Sequence, residues 1–241
     1  MQLKKQEWLR LWRLHERDIP DLVILEGTWW DRKSYEKRLA YLENVRECQF
    51  PNMYLGSYHN QTILFCCAYG APRAVEPVHI FGSLGTPTVI QIGSCGGLQT
   101  SIQTGDIVLP EKTKIGEGAS RYYGHTDFSS PDPDLISRAA QLAERRGIRT
   151  HQGPHLTTSA LLAQPAESIQ AWHDAGYLAV DMETSAVFSA ATYFNMKSVS
   201  LLFVWDELLR GRTWLDSFTH EEVTRQETAN LATFEIALTL A

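Results

Sequence analysis

The chain has 241 residues, 44% apolar and 21% charged, with a formal net charge of −6. This composition excludes wholesale disorder, and the length suits a single α/β domain over all of 1–241. The acidic balance argues against a nucleic-acid partner, which calls for a basic excess, but leaves small anionic ligands open because local geometry catches those.

Residues 4–17 read as an amphipathic helix in which Trp8, Leu11, Trp12 and Leu14 interleave with Lys, Arg and Glu, so that 1–19 form a helical extension ahead of the first strand. Charges scattered through the first ten residues are unlike a signal peptide. No run nears ~18 apolar residues, and no membrane partner is expected. Residues 22–25 read as a buried strand reaching Gly27, and 33–47 as a charged helix. Runs 53–58 and 62–68 read as the strands of a hairpin turning at His59-Asn60. A helix opens at Gly70-Ala-Pro-Arg73 and runs to Leu84, with Pro72 in its first turn. Residues 88–92 form a strand that enters Gly93-Ser-Cys-Gly-Gly97, read as a glycine-rich turn. A strand over 105–109 leads to a Gly-, Ser-, Asp-, Pro- and Tyr-rich loop or lid over 116–133. A helix at 133–146, a strand near 149–155 and a helix at 164–174 follow. Then come a strand end at 179–182, a helix at 183–194, a β-rich run at 198–205, an irregular stretch at 207–220 and a closing helix at 221–240. Strands alternating with helices point to a three-layer αβα sandwich around a central mixed, twisted sheet.

Cys48, Cys66, Cys67 and Cys95 show neither metal-ligand spacing nor a disulfide framework, which predicts reduced thiols, a cytoplasmic location and no metal site.

Three stretches could carry chemistry. Ile90-Gln-Ile-Gly-Ser-Cys-Gly-Gly97 is either a tight strand-to-loop turn or an anion cradle, with Ser94 adding a hydroxyl. Ala179-Val-Asp-Met-Glu183 runs a strand into a helix at an acidic pair, where open α/β sheets bind ligands. Its acids could equally favour a helix N-terminus. Phe203-Val-Trp-Asp206 ends a hydrophobic strand on an acid, either a proton donor in a cleft or a cap.

Together these stretches resemble the nucleoside phosphorylase superfamily of the purine nucleoside and uridine phosphorylase type, which includes related nucleosidases. The matching elements are Asp21-Leu-Val-Ile-Leu-Glu-Gly27, Tyr69-Gly-Ala-Pro72, Ile92-Gly-Ser-Cys-Gly-Gly-Leu98 with Gly105-Asp-Ile-Val108, Val180-Asp-Met-Glu183 and Trp205-Asp206. The resemblance implies cleavage of a nucleoside N-glycosidic bond, with phosphorolysis ahead of phosphate-independent hydrolysis. A non-catalytic nucleoside-binding protein is the reading from another class. It further implies no cofactor beyond phosphate as co-substrate, and a homo-oligomer (dimer, trimer or hexamer).

By this resemblance Glu183 accepts the ribose hydroxyls, Met182 packs on the sugar, and Asp206, assisted by Arg225, protonates or hydrogen-bonds the base. Cys95, Gly96, Leu162, Gln164 and Trp205 fall at the base pocket. Asp206 favours a purine, while Trp205 in place of a small residue keeps pyrimidines open. The phosphate positions are Gly27, Ser94 and Gln91, and Gln91 stands where phosphorylases carry an arginine. Arg32 or Arg73 would then supply the missing charge, because a neutral amide cannot offset a dianion. Arg121, Tyr122 and Tyr123 either close over a ligand or meet a neighbouring subunit, and the Trp-rich N-terminal helix, with Trp8 and Trp12 followed by Trp29 and Trp30, belongs to an interface or the core.

Overall fold

The computed structural model describes residues 3–240. Its strands form one ten-stranded sheet. In chain order the helices and strands are α1 (Lys5–Trp12), β1 (Leu22–Gly27), α2 (Asp31–Arg38), β2 (Glu43–Glu47), β3 (Met53–Tyr58), β4 (Gln61–Cys67), α3 (Ala71–Leu84), β5 (Thr88–Gly97), β6 (Ile107–Gly116), β7 (Phe128–Ser129), α4 (Pro133–Arg145), β8 (Thr150–Thr158), α5 (Ala166–Asp174), β9 (Ala179–Asp181), α6 (Thr184–Tyr193), β10 (Lys197–Glu207) and α7 (His220–Leu240).

The central strands are apolar on both faces, as a sheet covered on both sides requires. Leu22 and Ile24 of β1, with Ile90 and Ile92 of β5, pack against α2, α4 and α7. The alternate residues Val23, Leu25 and Val89 pack against α1, α3 and α6. These are the layers of an αβα sandwich. Trp8 and Trp12 of α1 are buried in the second core, so the N-terminal helix is part of the packing.

β1 runs parallel to β4 and β5, and β5 parallel to β10. β5 also pairs antiparallel with β9, while β10–β6, β6–β8 and β8–β9 complete a ring. Five strands therefore close on themselves at one side of the sheet around Cys95, Val108, Ala179, Leu202 and Val204. The closure brings the carboxyl ends of β1, β5, β9 and β10 together.

Several predicted elements change. The helix expected over 33–47 is α2 followed by a short 3-10 turn and then β2, which pairs antiparallel with β3 at the sheet edge. A fully exposed, charged edge strand resembles a charged helix in sequence, since neither has an apolar face. The helix at 4–17 stops at Trp12, where Arg13 takes left-handed φ. The glycine-rich segment is strand, not turn: β5 continues to Gly97 and stays paired with β10 throughout. Its glycines serve close approach, because a Cβ on Gly93 would lie 2.9 Å from the Gly27 carbonyl and one on Gly96 would lie 2.6 Å from Leu208. The His59-Asn60 turn is as predicted, both residues at positive φ.

Candidate active site

A cavity of about 610 Å³ opens at the joined carboxyl ends of β1, β5, β9 and β10, between α2 and α7. Gly27, Ser94, Cys95, Gly96, Met182, Glu183, Trp205, Asp206 and Gln164 all line it, drawn from sequence separations of well over a hundred residues. Three of its buried polar atoms have no hydrogen-bond partner among the described residues: the Tyr69 hydroxyl, the Trp205 indole nitrogen and Asp206 Oδ1. Buried polar atoms are ordinarily satisfied, so three such atoms on one concave surface mark a place for a ligand.

The acidic pair of β9 and α6 divides its work. Asp181 is saturated: Gln91, His155, Thr157, the Thr184 hydroxyl and the backbone N–H groups of Glu183 and Thr184 make six hydrogen bonds to its oxygens, at 2.6–3.3 Å. Burial pushes its pKa up, but the donors, led by His155, outweigh burial and hold it at about 2. It secures the start of α6. Glu183 is equally buried but accepts from the Gly70 N–H at 2.6 Å, and burial with the nearby Asp181 charge raises its pKa to about 8. A Cβ on Gly27 would lie 2.7 Å from Glu183 Oε2, so the missing side chain is what admits this carboxyl.

At the end of β10, a register shift between Val204 and Asp206 lies beside Trp205, whose carbonyl accepts from Gln226 at 3.2 Å. Asp206 is 7% exposed. Burial raises its pKa to about 7, the Trp214 backbone N–H opposes the rise, and neighbouring Asp216 adds to it. A carboxyl so placed stays partly protonated at neutral pH. At the mouth, Trp29 stands between Tyr69 and Trp214, with ring centroids 5.0 and 5.5 Å away.

Five sequence-predicted residues lie elsewhere. Gln91 is fully buried on the opposite face of β5 from Ser94, because the two differ by an odd number of positions. Its amide donates to Asp181 at 3.0 Å and accepts from Ser200 at 2.6 Å, outside the cavity lining. Arg32 is solvent-exposed and pairs with Glu36, and Arg73 pairs with Glu76 on the surface of α3. Arg225 pairs with Glu221 and donates to the Thr104 carbonyl at 3.3 Å. The cavity-facing stripe of α7 is Val223, Gln226, Glu227 and Asn230, and Arg225 is rotated off it. Leu162 is 79% exposed, and its neighbour Leu161 lines the cavity instead. The expected lid also departs. Tyr123 packs on His79, their side chains 3.1 Å apart, and Arg121, Tyr122 and Tyr123 are absent from the lining.

Sequence reasoning missed α2. Lys33, Ser34, Lys37 and Arg38 line the cavity, with Arg38 buried against Glu26 of β1. The available signal was a helix sequence, Asp-Arg-Lys-Ser-Tyr-Glu-Lys-Arg, with no apolar stripe to bury. Trp29 and Trp30, assigned to an interface or core, are partly exposed at the mouth.

Residues 22–240 match the family model described as the phosphorylase superfamily. A purine nucleoside phosphorylase of the DeoD type from Alkaliphilus metalliredigens is 30% identical over 235 residues, covering 93% of this chain and 95% of the relative. A guanosine phosphorylase from Halorubrum lacusprofundi is 28% identical over 204 residues, covering 82% and 83%. The fold is similar to that of a uridine phosphorylase from Vibrio fischeri, with a TM-score of 0.79 at 21% identity over 93% of both chains.

Proposed function

The chain belongs to the phosphorylase superfamily, and from that premise we propose that it cleaves the N-glycosidic bond of a purine nucleoside by phosphorolysis. The observation that carries the reading is Asp206: a buried carboxyl with a pKa of about 7 and an unpartnered Oδ1, sharing a cavity with Glu183. The names of the guanosine and purine nucleoside phosphorylase relatives support a purine.

In this scheme the base lies against Asp206 and Trp205, with Gln164 and the Cys95-Gly96 edge of β5 bordering it. Glu183 accepts the ribose hydroxyls while Met182 packs on the sugar. Hydroxyl donors stabilise the charged carboxylate and so lower its raised pKa on binding. A phosphate oxygen bonds to C1′ as the C1′–N bond breaks, and the bonding pair leaves with the base. Asp206 gives the base a proton, which neutralises the leaving group, and recovers one from solvent. The products are free base and pentose 1-phosphate.

A second reading, hydrolysis, draws on one observation: Gln91, Arg32 and Arg73 all lie away from the cavity. Base release from a nucleoside panel, with and without phosphate, decides between them. Phosphorolysis requires phosphate-dependent release with pentose 1-phosphate formed. Free pentose without phosphate establishes hydrolysis, and no release from any nucleoside favours a binding protein.

We further place the chain in the cytoplasm as a homo-oligomer. Four free, buried cysteines suit a reducing compartment. Exposed Tyr122 and Tyr193 suit contact with another copy. Sedimentation equilibrium separates monomer, dimer, trimer and hexamer by mass.

A further inference from the structure

Asp206 lies where β10 breaks its own pattern. Val204 pairs with Cys95 of β5, and Asp206 pairs with the very next residue, Gly96, so Trp205 is one residue too many. Such bulges are rare in parallel pairs, and they re-aim the side chain that follows. An unbroken strand alternates its faces. It would send Asp206 the way of Leu202 and Val204, into the apolar cluster of Cys95, Ile102, Val108 and Ala179. With the bulge, Asp206 lines the cavity instead. Its carboxyl does little to hold itself there: it meets the Trp214 backbone N–H, and Oδ1 is unpartnered among the described residues.

The aim of Asp206 is therefore set by the backbone on either side of it, and one residue of the β5–β6 loop grips both sides. Thr104 is fully buried and outside the cavity lining. Its hydroxyl donates to the Trp205 carbonyl at 3.2 Å, and its backbone N–H donates to Glu207 Oε1 at 3.0 Å. The grip is anchored in turn. The neighbouring Gly105 N–H donates to the Val204 carbonyl at 2.9 Å, and the Thr104 carbonyl accepts from Arg225 of α7 at 3.3 Å. Buried Glu207 also pairs with Arg210. We propose that Thr104 is the positioning residue for Asp206, holding the β10 bulge that turns the acid into the cavity. The inference rests on the reading that Asp206 gives the base its proton. Gln226, the second donor to the Trp205 carbonyl, lines the cavity itself, so Thr104 is the position that reports on the bulge alone.

The test is Thr104→Val, which removes the hydroxyl and keeps the branched shape, with Thr104→Ala as a second probe of the same loss and Thr104→Ser as the rescue. Base release is measured with circular dichroism as control, and the crystal structure of the variant reads where Asp206 points. Thr104→Val should lower kcat on the order of 10-fold, as for one buried acceptor deprived of a donor, with the KM for the nucleoside little changed. Thr104→Ser should recover most of the rate. Introduced into Asp206→Asn, Thr104→Val should cost less than about twofold, because two residues acting through one group are not additive. The same fold-loss in both backgrounds would make Thr104 a structural residue only and overturn the proposal. Wild-type kcat with Asp206 in place would overturn it too. Full activity in Asp206→Asn would overturn the proton-donor reading, whereas Asp206 turned out of the cavity in Thr104→Val would still uphold the grip.

Discussion

Two aspartates stand at the ends of β9 and β10, strands that each pair with β5, and their surroundings drive them apart. Asp181, at the end of β9, takes six hydrogen bonds and is held at about 2. Asp206, at the end of β10, keeps an unpartnered oxygen and sits at about 7. Burial raises both pKa values, so burial is not what distinguishes them. The number of donors is. A carboxyl surrounded by donors is a fixed charge that organises backbone, whereas one starved of them holds its proton at neutral pH and can transfer it. Glu183, with its pKa near 8, falls on the second side.

The sharpest way to break this contrast is to remove each carboxyl. Asp206→Asn should lower kcat/KM by ~10²- to 10⁴-fold, the usual worth of a positioned general acid, with little change in fold. Steady-state base release with circular dichroism as control measures it. If activity survives, Asp206 is not the proton donor. Asp181→Asn should instead act on stability, costing ~3–5 kcal/mol because donors from Gln91, Thr157 and Thr184 would face a buried group without charge. Urea unfolding reads that loss, and a shift under ~1 kcal/mol would contradict the organising role of Asp181.

pH separates the pair next. Asp181 has a depressed pKa, so its stabilisation is complete above the ordinary value of 3.8 and disappears as pH falls towards about 2. Asp206 has a raised pKa, so its contribution is complete below 3.8 and is lost as pH rises through about 7. Asp206→Asn should therefore gain stability relative to wild type at pH 8 but not at pH 4, each kcal/mol appearing as roughly 2–4 °C in Tm. kcat/KM should decline above a pKa near 7 in wild type, and a flat profile from pH 6 to 9 would remove the acid from the mechanism. A smaller effect is expected at Gly27→Ala. Its Cβ meets Glu183 Oε2 at 2.7 Å, so the carboxyl must shift, costing ~1–3 kcal/mol and raising KM for the nucleoside.

The strand-end half of the site was legible because apolar runs ending in Ser94, Glu183 and Asp206 declare both strand and terminus. Parallel neighbours then bring such termini together. The cationic half was not. A sequence fixes neither which face of β5 carries Gln91 nor whether a polar helix meets water or a cavity. Lys33, Lys37 and Arg38 look like any solvated charge run until α2 is seen opposite α7. Arg32 and Arg73, expected at the site, lie outside the cavity for the same reason.

Arg225 gives the smallest predicted effect and the finest test of that lesson. In sequence it sits one residue from Gln226, which touches the Trp205 carbonyl, and so it invites assignment to Asp206. On α7 one residue is a rotation of about 100°, and Arg225 faces Glu221 and the loop at Thr104-Gly105. Its pair with Glu221 is solvent-exposed and one helical turn apart, a geometry worth ~0.3–0.5 kcal/mol. Arg225→Ala should thus change kcat/KM less than about twofold, on the order of 0.4 kcal/mol in the barrier. Its cost in stability should come from the hydrogen bond to the Thr104 carbonyl and the Glu221 pair, since alanine keeps the Cβ that faces Gly105. A hundredfold loss of activity would mean that α7 turns on binding substrate and brings Arg225 to the acid.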